Sequence, residues 1–246
     1  MRSRCLTSLL TAALVSVATM SFAAEKPILK APVAAEKIEY GNLYFGADYF
    51  QNGVAGYAGV LYAPSGMHLS GLRLSVFGIY GTYDYFSDPI TIDARFSSVD
   101  VLVGWSFVHN TGAVTLAVGP NYQNHRLSPA DPDNSVQGSK YGAKVQADFW
   151  ANPTPVTLVT GLGSYSTAFD TYYSIFRAGY DFSSRGIFIG PEVGALGNER
   201  TDQQRVGLFI SGIAIGPAKL TFSGGWMNER DNGQGGYATA MIDFTF

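Results

Sequence analysis

Cysteine, charge, histidine and long apolar runs are all scarce in this chain, and each scarcity removes a class of protein. The single cysteine, Cys5, precedes the first apolar stretch, so neither a disulfide framework nor a lipid-modified cysteine behind a leader is available. Beyond the N-terminal segment no stretch comes near the ~18–20 consecutive apolar residues of a membrane-spanning helix. Charged residues make up 14%, against roughly 25% in ordinary soluble domains. There is no basic cluster of the kind that holds nucleic acid. The histidines, His68, His109 and His125, come without a G-x-S-x-G, an H-E-x-x-H or a phosphate loop, and no calcium-loop or other metal-ligand spacing accompanies them. No cofactor is expected.

What is abundant points elsewhere. Hydrophobic residues are 46% and aromatics 14% of the chain, with 29 glycines. Many aromatics and few charges, without an apolar helix, suit a β-barrel that faces lipid. Arg2 and Arg4, the apolar and small residues from Leu6 to Thr19, and the small side chains of Ser21-Phe22-Ala23 read as a secretory signal peptide over 1–23. Its removal takes away two arginines and moves the formal charge from −3 to −5. Residues 24–40 read as an extended periplasmic leader, and 41–246 as the barrel.

From Gly41 onward the text alternates. Leu72, Leu74, Val76, Gly78 and Tyr80 interleave with Arg73, Ser75, Phe77 and Ile79; Val99 to Phe107, Tyr141 to Phe149 and Leu220 to Trp226 behave alike. Period two with one apolar face is a strand, because successive side chains leave opposite faces. About twelve such segments are expected, near 42–50, 54–63, 72–84, 97–107, 113–123, 141–150, 155–166, 172–182, 186–196, 204–215, 218–228 and 236–246. The predicted fold is therefore all-β: a transmembrane antiparallel up-and-down barrel in the outer membrane. The longer polar connections, Ser87 to Ser98, Asn124 to Lys140, Gly197 to Gln203 and Asn228 to Gly235, are expected outside the cell, with short turns on the periplasmic side. The last segment keeps Ala238, Ala240, Ile242, Phe244 and Phe246 on one face, which looks like the recognition strand of outer-membrane barrels.

If the apolar faces meet lipid, the opposite faces line the lumen. Their charges are Asp48, Asp100, Asp148, Asp181, Glu192 and Asp243 against Arg73, Lys144, Arg177, Arg205 and Lys219. Near balance of sign predicts a paired internal network, in contrast to the single-sign ring of an ion-selective pore. Trp105, Phe107, Phe149, Tyr180, Phe182, Phe244 and Phe246 read as a lipid-side girdle near the periplasm. Trp150 and Tyr165 fall on the other face or at a rim, where a flat ring stacks on a sugar. The candidate lumen contacts are Asp48, Arg73, Lys144, Asp148, Trp150, Tyr165, Arg177 and Glu192. His125, Arg126 and Asp131 open the longest loop and are candidates there. Sequence proximity in a proline-containing loop supplies no fixed catalytic geometry, so no catalytic residue is assigned.

The blocks N-H-R-L-S-P-A-D-P (124–132), D-F-W-A-N-P-T-P (148–155) and I-F-I-G-P-E (187–192) resemble the cellulose biosynthesis protein BcsS family of α-proteobacteria, in their spacing as well as their text. The resemblance runs from about Tyr44 to the end. It implies a part in bacterial cellulose production and carries over no catalytic residues. The expected function is a non-enzymatic outer-membrane barrel that assists export or surface handling of a β-1,4-glucan. Expected partners are outer-membrane lipid, a cellulose chain and other cellulose-secretion components. The alternative is a small general channel or surface-interaction barrel linked to cellulose indirectly.

Overall fold

The computed structural model describes residues 38–87, 89–230 and 233–246. The expected signal peptide and all but the end of the expected leader lie outside the described residues. Twelve strands follow one another: β1 (Gly41–Phe50), β2 (Gly53–Tyr62), β3 (Gly71–Ser87), β4 (Ile90–His109), β5 (Gly112–Ser128), β6 (Gly138–Ala151), β7 (Thr157–Ser166), β8 (Thr171–Tyr180), β9 (Phe188–Gly197), β10 (Asp202–Ile215), β11 (Ala218–Glu229) and β12 (Gly233–Thr245). Each pairs antiparallel with its sequence neighbours, and β1 pairs with β12 to close the barrel. Closure leaves no sheet edge, the condition for a β-structure to persist in lipid. The main chain of Phe246 completes the seam, donating to Gly41 O at 3.0 Å and accepting from Tyr40 N at 2.6 Å.

The alternation decides which residues face out. Val99, Val101, Val103, Leu116, Val118 and Leu208 are exposed on the outer surface. Trp105, Phe107, Tyr180, Phe182 and Phe246 band the rim where β1 begins and β12 ends, here the terminal rim; Tyr49, Tyr80, Tyr141, Tyr165 and Trp226 band the distal rim. An apolar band between two aromatic girdles is the outer face of a membrane-spanning barrel.

The connections differ from the expected pattern. Ser87 to Ser98 is no loop, since β3 and β4 stay paired up to Ser87↔Ile90. β5 likewise runs through Asn124, His125 and Arg126 to Ser128, so the longest distal loop is only 129–137. The reason is a change of polarity along these strands. Past the apolar band the inward residues become the apolar ones: Ile92 and Ala94 are each 1% exposed, with Val136 of the loop equally buried. Asp84, Asp93, Arg95 and Arg126 point outward there. This end folds as a water-soluble sheet folds, around a small core of its own.

At the terminal rim, residues 38–40 and the connection 63–70 pack together: Ala63 N donates to Tyr40 O and Met67 N to Glu39 O, each at 2.7 Å. In the 181–187 turn, the Asp181 carboxylate accepts the Ser183 amide (2.9 Å), the Ser183 hydroxyl (2.8 Å) and the Gly186 amide (2.6 Å). Asp181 thus caps a turn; it does not line the lumen as expected. Burial works to raise its pKa, but these donors outweigh it and hold the carboxyl below the usual range.

Candidate functional site

The middle of the lumen is braced by charged side chains on two walls. On the first, Arg205 of β10 grips Asp48 of β1 with two parallel bonds of 2.9 Å, across the two strands between them. Thr239 donates to the same carboxylate at 2.8 Å. Glu192 of β9 accepts Arg177 Nε at 2.5 Å and the Tyr237 hydroxyl at 2.8 Å. The guanidinium of Arg205 also lies over the Tyr237 ring, 4.9 Å from its centroid. On the second wall Asp100 of β4 takes Lys144 of β6 and the Asn121 amide of the strand between them. Asn121 passes the network on to Ser98, Gln123 and Ser166 at 2.6–2.8 Å, and Gln123 accepts Thr171 at 3.0 Å. The charges of these two walls are thus paired and hydrogen-bonded, which offsets the cost of taking them out of bulk water.

Between the walls stand aromatic rings. Tyr44, Tyr57 and Phe77, on β1, β2 and β3, form a contiguous group with centroids 6.1–6.4 Å apart. Two of these rings lie flat on the sheet because the residue beneath has no side chain. A Cβ at Gly46 would sit 2.2 Å from the Tyr57 ring, and one at Gly59 would sit 2.3 Å from the Tyr44 ring. Six strands round the barrel, Tyr173 of β8 points inward across the lumen from Tyr57. Tyr173 keeps 38% of its surface exposed although it faces the interior. Such exposure requires open space inside the barrel at that level, so the interior here is not packed solid. Flat phenol and phenyl faces beside paired acids and bases offer apolar stacking and hydrogen bonding together, the combination a sugar ring presents in return.

The predicted site residues divide. Asp48, Lys144, Arg177 and Glu192 meet in this braced zone, and Asp148 faces the lumen next to Gln146 (3.4 Å). Arg73 does not belong to it. Its guanidinium donates to the carbonyls of Met67 (3.2 Å), Leu69 (2.7 Å) and Leu72 (3.0 Å), stapling the 63–70 connection at the terminal rim. Trp150 stands at that rim too, 42% exposed. Tyr165 is a correction: its partner Val145 faces lipid and so does Tyr165, whose hydroxyl donates to Asp170 at 2.7 Å. The expected loop cluster is also dispersed. His125 lies in β5, inward, stacked on Phe96 and edge-on to Phe169 at 6.0 and 5.2 Å. Arg126 points outward from the same strand, and Asp131 accepts the Tyr85 hydroxyl at 2.8 Å. No hydrogen bond joins His125 to Ser128 or Asp131. Among the described residues no group of three metal-ligating side chains comes together.

The comparison with protein families matches residues 42–246 to Cellulose biosynthesis protein BcsS. The chain belongs to that family. The match takes in every strand but the first residue of β1, including the N-terminal strands whose text is the least distinctive. No curated protein matches the sequence significantly. Among solved structures, the chain resembles a KdgM porin (12% identity, TM-score 0.47, covering 83% of this chain and 99% of that one). It also resembles LpxR from Salmonella typhimurium (13%, 0.46, 83% and 100%) and a TodX deltaS2S3 mutant monoaromatic hydrocarbon channel (6%, 0.47, 84% and 90%). At these values the likeness is one of barrel architecture.

The lumen aromatics are what residue-by-residue reading passed over. Tyr44, Tyr57, Phe77, Tyr173 and Tyr237 carry the parity of the charged face, so the signal was present. It was masked because aromatics occupy both faces of this barrel, and only the pairing register separates Tyr57 from Tyr49.

Proposed function

We propose that this BcsS-family protein is a non-enzymatic outer-membrane barrel that assists cellulose production by passing or holding a β-1,4-glucan chain. The observation that carries the reading is the open, ring-lined zone between Tyr57 and Tyr173, in a chain whose family is defined by cellulose biosynthesis. A β-1,4-glucan is a flat ribbon with apolar faces and hydroxyl-lined edges. The Tyr44–Tyr57–Phe77 group and Tyr173 take the faces, while the paired carboxylates and guanidinium groups flanking them take the edges. The terminal rim lies in the periplasm in this reading, and the distal rim, with loop 129–137, lies outside.

Two experiments test it. Deleting the gene should lower surface cellulose under inducing conditions, and unchanged cellulose would overturn the assignment. In planar bilayers the purified barrel should conduct, with cello-oligosaccharides blocking the current from one side. Steady conductance indifferent to cello-oligosaccharide would make it a general channel instead.

A further inference from the structure

A different part of the molecule, the outer surface of β3–β5, brings two like charges together. Arg95 of β4 and Arg126 of β5 are paired directly across the ladder and both point outward, exposed. Like charges directly opposite each other on a sheet face repel. Among the described residues neither has a carboxylate within ion-pair distance; the ion pairs that form lie elsewhere. The nearest acids on this face, Asp84 and Asp93, oppose each other one rung farther from the membrane. The two guanidinium groups therefore stand between those acids and the bilayer, without a direct ion pair among the described residues.

What lies below them is graded. The next outward rung holds Ser97, Asn124 and Ser139, with Asn124 donating to Ser139 at 2.5 Å. Below it Tyr122 and Tyr141 pack with centroids 4.8 Å apart, and the Tyr122 hydroxyl reaches Ser139 at 3.0 Å. Farther down the same strands an apolar groove of about 470 Å³ opens on the outer wall, lined by Leu74, Val76, Val101, Val103, Val118 and Pro120. Pro120 has no amide to donate, and the pairs Val101/Pro120 and Leu102/Gly119 drop out of the otherwise continuous β4–β5 register. From Arg95 to Val101 is six residues, a drop of about 15 Å along the barrel axis at ordinary strand rise and tilt.

We propose that this strip binds a phosphorylated glycolipid of the outer leaflet. The Arg95–Arg126 pair receives its phosphate, the Ser97–Asn124–Ser139 rung its hydroxyl or amide groups, and the valine-lined groove an acyl chain. Planar guanidinium forks match phosphate oxygens two by two, and a phosphate bridging both arginines turns their repulsion into attraction. The site rests on the outer-membrane placement given above, with the distal rim outermost.

The test uses diphosphoryl lipid A, its dephosphorylated form and inorganic phosphate as probes of the folded barrel in detergent, read by native mass spectrometry. The wild type should retain diphosphoryl lipid A. Arg95→Gln with Arg126→Gln should weaken retention about tenfold or more, as should dephosphorylating the lipid, each the loss of charge-assisted bonds. Val118→Trp, which fills the groove, should weaken it without touching the arginines. Millimolar inorganic phosphate should leave the lipid in place. Equal retention of both lipid forms by the wild type, unchanged retention by the folded double variant, or displacement by inorganic phosphate overturns the proposal. Heat-modifiable gel migration verifies that each variant is folded. Failure of the outer-membrane reading would show separately, as wild-type barrel missing from the outer-membrane fraction.

Discussion

Glu192 offers the sharpest test of how the lumen is held. Its side chain is 2% exposed, and it joins three strands by accepting Arg177 of β8 and Tyr237 of β12 from its place on β9. Glu192→Ala strands a guanidinium and a phenol. Breaking one side of a buried pair ordinarily costs about 3–5 kcal/mol, because the surviving charge loses its compensation. Here the arginine keeps 19% side-chain exposure and can turn toward the open space beside Tyr173, so the expected loss is smaller, about 2–3 kcal/mol. Replacing the pair by apolar groups of similar size, Arg177→Met with Glu192→Leu, should restore stability to within about 1 kcal/mol of the wild type. The assay is urea unfolding from lipid vesicles followed by the fluorescence of Trp105, Trp150 and Trp226. If the double variant loses as much as its two single changes added together, the residues are not coupled and the bracing argument fails.

Tyr57→Ala and Tyr173→Ala should each weaken block of the current by cello-oligosaccharide about tenfold, equivalent to about 1.4 kcal/mol of stacking lost, while Tyr165→Ala on the lipid face leaves block unchanged. Tyr85 donates to Asp131 and accepts from Asn134, each at 2.8 Å; Tyr85→Phe should release loop 129–137 and speed its cleavage by protease added to intact cells, with His109 to Gly112 spared. The depressed pKa of Asp181 gives a pH dependence of definite sign. A carboxyl held lower in the folded state contributes stability that is complete above its unfolded value of about 3.9 and is lost as pH falls through the folded one. Hydrogen exchange of the 181–187 turn should therefore quicken only in strong acid, and Asp181→Asn should remove that acid limb.

Most of the barrel was legible because lipid and lumen impose opposite demands on alternate residues. β3, β6 and β11 were found within a few residues from that contrast alone, and the last strand from the apolar face that runs to Phe246. The reading broke down where the surroundings change. Between Asp84 and Arg95 the alternation persists, but water replaces lipid outside, so the apolar parity moves inward and the segment resembled a polar loop. His125 and Arg126 were misplaced for the same reason. The candidate site was half legible. Charges of the lumen face, such as Asp48 and Glu192, follow directly from parity. Their partners and the Tyr57–Tyr173 opposition depend on which strands face each other across a closed cylinder, a relation that no local pattern records.

The glycines under Tyr57 and Tyr44 set how far those rings stand into the lumen. A ring laid on bare backbone thickens the wall by one van der Waals layer, about 3.5–4 Å, and turns its broad side to whatever lies in the bore. A single methyl group at Gly46 or Gly59 would meet that ring within 2.3 Å and tip it into the opening. The width of the lumen at this level is thus set by its smallest residues, and one carbon atom added to the wall would narrow it without altering a charge or the outer surface.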